Sequence, residues 1–84
     1  MARTTSARKI SEYLVASLTE DHGIECEAGR RTDGGVFELS FRDSLDMDSA
    51  LDVIEAYQLP PILCDTITGA ESISDTHILV YLTA

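Results

Sequence analysis

The chain has 84 residues with 44% hydrophobic and 25% charged, and 15 Asp or Glu against six Lys or Arg give a formal net charge of -9. That size allows one small domain, residues 1-84, with one modest core, and the balance of apolar and charged residues excludes a disordered or low-complexity chain. The acidity argues against direct nucleic-acid binding and against anionic membrane surfaces, and no apolar run approaches the ~20 residues of a bilayer span.

The opening MARTTSARKISEYL lacks the uninterrupted apolar stretch of a secretory signal, so a cytoplasmic location is expected. Residues 1-5 read as a flexible basic tail, and Arg3, Arg8 and Lys9 as a solvated start. From Ser6 to His22, Ala7, Ile10, Leu14 and Leu18 recur at helical spacing, flanked by Tyr13 and Ser17, and Gly23 supplies the stop. The charges of this first helix oppose its macrodipole, with Arg8 and Lys9 early and Glu20 and Asp21 late.

IECEAGRRTDGGVFELSFR then alternates apolar and polar residues around Asp33-Gly34, a strong hairpin signal. With those two residues as the turn, Cys26 faces Phe41, Ala28 faces Leu39 and Arg30 faces Phe37 on one side. Glu27 faces Ser40 and Glu25 faces Arg42 on the other, which keeps apolar groups together and opposes unlike charges.

A second helix is expected from about Ser44 to Gln58, burying Met47, Ala50, Leu51, Ile54 and Tyr57 and ended by Pro60-Pro61. Two strands, ILCDTIT and THILVYLT, follow, joined by the turn-rich GAESISD. The expected fold is α+β, a four-stranded antiparallel sheet with two helices on one face in the order αββαββ. A shift of 38 positions lays Ile24 and Cys26 on Ile62 and Cys64, a faint hint of two αββ units. The last hairpin is apolar on both sides, so Leu63, Ile67, Leu79 and Tyr81 are expected to form a homodimer or partner interface.

The net charge is concentrated in the second half. Six bases nearly balance seven acids through Arg42, whereas eight acids and no Lys or Arg follow. Asp43 and Asp46 suit the first turn of the second helix, with Ser44 or Asp46 as its cap. Asp48, Asp52 and Glu55, at i, i+4 and i+7, line one ridge where like charges repel by a few tenths of a kcal/mol per pair. Together with Asp65, Glu71 and Asp75 they form the expected partner-binding set, directed at a cationic protein surface.

Catalytic and metal chemistry find no footing. DMDSALDVIEAY has alanine and leucine where a calcium loop needs ligands and glycine. His22, His77, Cys26 and Cys64 match no zinc spacing, the cysteines read as free buried thiols, and no nucleophile has a placed base. The expectation is therefore a non-enzymatic module without cofactor or metal. It binds protein, in the manner of an inhibitor that occludes a basic nucleic-acid-binding surface. The alternative is a salt-adapted (halophilic) small homodimeric domain with a structural or small-ligand regulatory role.

Overall fold

The computed structural model describes residues 7-32 and 35-83. Its elements are α1 (Ala7–His22), β1 (Cys26–Thr32), β2 (Val36–Phe41), α2 (Ser44–Glu55), α3 (Pro61–Thr66), β3 (Ile67–Ser72) and β4 (His77–Leu82). All four strands form one antiparallel sheet in the order β1-β2-β4-β3. The class is the α+β one expected, but three helices rather than two accompany the sheet. The basic tail lies outside the described residues.

In α1 the four-residue repeat of Ile10, Leu14 and Leu18 puts all three fully inside. Ser11 and Ser17 share that buried side without cost because each hydroxyl is satisfied, Ser11 Oγ by the Arg8 carbonyl at 2.7 Å and Ser17 Oγ by Asp21 at 3.3 Å. Gly23 closes the helix in the left-handed region (φ +69°), donating its N–H to the Thr19 carbonyl at 3.2 Å.

The first hairpin keeps the expected register at its open end, with Cys26 opposite Phe41, Glu27 opposite Ser40 and Ala28 opposite Leu39. Toward the turn it slips by one, because a bulge between Ala28 and Arg31 places Arg31, not Arg30, opposite Phe37. Since Thr32 pairs with Val36, three residues join the strands rather than two, and the last, Gly35, takes φ +80°. A left-handed residue in third place is the usual solution for such a loop. The bulge absorbs the extra residue so that Phe37, Leu39 and Phe41 all remain inside. Asp33 and Gly34 lie outside the described residues.

Asp43 caps α2, accepting a 2.9 Å bond from the Asp46 amide, so the cap falls one residue before Ser44. Arg42 then bridges Asp46 at 3.2 Å and Glu25 at 3.6 Å, tying the helix start to the first hairpin. The helix buries Met47, Ala50, Val53 and Ile54, with Leu51 partly covered. It ends at Glu55, short of the expected Gln58, and Tyr57 lies outside the core.

The expected strand ILCDTIT is corrected to a helix followed by a strand. Pro60 and Pro61 do more than end α2. Pro61 occupies the first helical position, where its missing N–H and fixed φ suit a helix start. The Pro60 carbonyl accepts from Leu63 and Cys64 at 2.9 and 3.1 Å. Strand β3 begins only at Ile67 and takes in GAES, which had read as turn. Cys64 therefore lies in a helix whereas Cys26 opens a strand, so the two αββ units do not correspond.

The residues that β2 and β4 bury, Phe37, Leu39, Phe41, Ile78 and Val80, all belong to one face of the sheet. They join Ile10, Leu14, Leu18, Met47, Ile54 and Leu63 of the helices in a single core cluster. On the opposite face Glu38 is paired with Leu79 and Val36 with Tyr81, and all four are half-buried.

Candidate functional site

The end of α2 supplies the geometry. Ala56 leaves the helix, the Tyr57 amide bonds the Ile54 carbonyl at 3.2 Å and the Gln58 amide reaches the Val53 carbonyl at 3.0 Å. These two bonds make a Schellman turn, whose left-handed residue is normally glycine. Here it is Tyr57, at φ +56°, with its side chain 70% exposed. Packing does not explain the choice, and an L-residue in that conformation costs about 1-2 kcal/mol. Tyr57→Gly is therefore expected to raise stability by about 0.5-1 kcal/mol after the glycine's extra unfolded-state entropy. Tyr57→Val should lower it. Urea denaturation followed by circular dichroism reads both.

That turn directs the chain into α3, and a cleft of about 160 Å³ opens between the end of α2, α3 and the β3 edge. Ile54, Leu59, Leu63 and Ile67 give it an apolar lining, and Thr68, Gly69 and Ala70 of β3 line it as well. Glu55 stands at its rim. The Cys64 thiol lines it too, half-buried and within reach of the Leu59 carbonyl (3.3 Å) and the Tyr57 carbonyl (3.6 Å), so its one S–H can donate to either main-chain acceptor of the α2–α3 link. Nearby, His22 donates its Nε2–H to the Gln58 carbonyl at 2.9 Å and pins the same turn to the end of α1.

Asp48, Asp52 and Glu55 are all exposed along the outer side of α2, as their spacing requires. Among the described residues none of the three forms an ion pair, since the three pairs present use Glu12, Glu25 and Asp46. The other expected partner-binding acids are exposed as well but do not all join this ridge. Asp65 lies on α3, Asp75 in the β3–β4 turn, and Glu71 on the far face of the sheet, where it neighbours Tyr81. Desolvation and then the Glu71 carboxylate, which also accepts its hydrogen bond, hold the Tyr81 phenol above its ordinary range.

The expected interface of Leu63, Ile67, Leu79 and Tyr81 is divided. Leu63 and Ile67 are buried in the core, Leu63 on the inner side of helix α3 and Ile67 at the start of β3, and only Leu79 and Tyr81 occupy the uncovered sheet face. As β4 is a central strand, Glu38 and Glu71 flank Leu79 from either side and interrupt the apolar surface with charge. What the sequence reading missed is the cleft, with Leu59, Thr68, Gly69 and Ala70. Pro at a helix's first position was the available signal.

Both cysteines are free thiols, and among the described residues no group of three His, Cys, Asp or Glu could hold a metal ion. Burial first, and the Asp46 charge second, push the Cys26 thiol from its ordinary 9.0 up to about 11. In a Cys64→Ser background, alkylation of Cys26 by iodoacetamide should keep accelerating past pH 10, with Asp46→Asn shifting the profile to lower pH. The folded state holds this proton while the unfolded chain releases it near 9, so stability is lost as pH rises from about 9 to 11. A rate that levels off near pH 9 would contradict the burial of this thiol. His77, in turn, keeps Nδ1 within 3.1 Å of the Ser74 hydroxyl and 3.0 Å of the Thr76 hydroxyl, which orders the β3–β4 turn.

The fold and surface thus define a small α+β module: a four-stranded antiparallel sheet, a helical layer and an acidic helix ridge leading into a cleft. No protein-family model, curated protein or solved structure matches the chain. Among the described residues no helix is long and apolar enough to cross a membrane.

Proposed function

We propose that this chain is a small acidic protein-binding module whose α2 ridge engages a lysine- or arginine-rich surface of a partner protein. A surface of that kind is one that otherwise holds nucleic acid, so the bound module acts as an occluding inhibitor. The observation that carries this reading is the exposure of Asp48, Asp52 and Glu55 on one helix face without an ion pair among the described residues. Three carboxylates so aligned repel one another, and a cationic partner converts that repulsion into attraction. Nothing in this mode of action calls for catalysis or a cofactor.

The test is anisotropy of a fluorescent oligo-arginine peptide at low ionic strength. Replacing Asp48, Asp52 and Glu55 together by serine should weaken binding about tenfold, because rim charges set steering and register. Replacing three exposed acids elsewhere, Glu12 and Glu20 on α1 and Glu27 on β1, should change it little. Equal losses from the two sets would reduce the interaction to net charge and remove the ridge from it. Unfolding in low and molar potassium chloride addresses salt adaptation, since a halophilic domain loses structure at low salt.

A further inference from the structure

We propose that the outer edge of β3 accepts an extended, lysine-bearing segment of the partner protein as a fifth strand, one basic side chain of which enters the cleft beneath Glu55. This rests on the cationic-partner reading and specifies how the partner is held.

The hydrogen-bond alternation shows that the edge is available. On one side of β4 the Phe41 amide bonds the Thr76 carbonyl at 2.7 Å and the Leu82 amide bonds the Gly35 carbonyl at 2.9 Å; on the other the Ile73 amide bonds the His77 carbonyl at 2.9 Å. Carried along the register, that alternation turns Gly69 and Glu71 toward β4 and leaves Ala70 and Ser72 with N–H and C=O directed away from the sheet. Among the described residues no strand pairs with that side. The opposite edge, β1, is blunted by its bulge between Ala28 and Arg31. In β3 the irregularity is confined to the start, between Ile67 and Gly69, so Gly69 to Ser72 stay in register.

Charge and shape select the occupant. The cleft lies against the same stretch of β3, apolar within and carrying Glu55 at its rim, which suits an aliphatic stem ending in a cation. An added strand supplies affinity through main-chain bonds and specificity through alternate side chains, one of which would point into the cleft. A second copy of this chain is a poor occupant. Pairing β3 with itself sets Glu55, Asp65 and Glu71 of each copy near those of the other, and no Lys or Arg follows Arg42 to offset them.

The experiment adds a synthetic peptide of about nine residues, alternating lysine and threonine, to the full-length protein and follows amide hydrogen exchange by NMR. Binding should slow exchange at Ala70 and Ser72. A second peptide of the same charge, N-methylated at lysine and threonine amides alike so that neither edge can donate, cannot complete the ladder and should bind about tenfold more weakly. Glu55→Gln should weaken the parent peptide without altering the fold. Ser72→Pro, tolerated where an edge N–H faces solvent, should do the same. If both peptides bind equally, or protection is confined to the amides of α2, strand addition is overturned while the cationic-partner reading stands. If neither peptide binds at low ionic strength, both fall.

Discussion

Phe37→Ala is expected to remove about 3-5 kcal/mol of stability, the largest loss from any single substitution considered for this chain. Phe37 is fully buried in β2, a central strand, opposite Val80 of β4 and at the register position of Arg31 in β1. It is the largest of the fully buried side chains, and helices and sheet share one core, so no other cluster can compensate. A domain of this size has about 4-13 kcal/mol in total, so the variant lies near or beyond its unfolding threshold. Phe37→Leu, a smaller volume change, should cost about 1-2 kcal/mol and keep the measurement readable if the alanine variant fails to fold. Glu38→Ala, one residue along on the opposite face, should stay within about 0.5 kcal/mol. Urea midpoints by circular dichroism compare all three, and a similar cost for residues 37 and 38 would contradict the one-sided sheet.

Leu63→Ala should cost about 2-4 kcal/mol, whereas Ile62→Ala should cost less than about 1 kcal/mol. The contrast follows from α3. On its short helical turn Leu63 is 1% exposed and packs into the core, while Ile62 is 52% exposed. In a strand through ILCDTIT the two residues would occupy opposite faces of a sheet, and Leu63 would share its face with Asp65 and Ile67. Equal costs at the two positions would favour that strand over the helix. The same pair bears on the cleft, because Leu63 is one of its walls and its truncation should also weaken the lysine-bearing peptide. Loss of affinity from Ile62→Ala alone would instead direct attention to the outer side of α3.

The acidic ridge was legible because it is local: i, i+4 and i+7 on an α-helix determine a common side whatever the helix packs against. The first hairpin was legible for a similar reason, its alternation placing Phe37, Leu39 and Phe41 inward before the exact turn was known. The last third was harder. An apolar run between prolines and a glycine-containing segment fits a buried strand as well as a short helix, and periodicity over six residues does not separate them. The cleft was invisible for a different reason, since its walls come from three elements whose relative placement no local pattern encodes.

The sequence by itself determined the α+β class, the course of α1, the pairing of β1 with β2 up to Ala28, and the ridge of Asp48, Asp52 and Glu55, because each depends on contacts or spacings within a few residues or across one turn. The tertiary structure alone decided that α3 replaces a strand, that β4 is central and β3 an edge, and that Leu63 and Ile67 are core rather than surface. It also decided that Glu55 meets a cleft at that edge. These outcomes depend on which apolar face is buried against which partner, and that competition is settled only when the whole chain packs into one core.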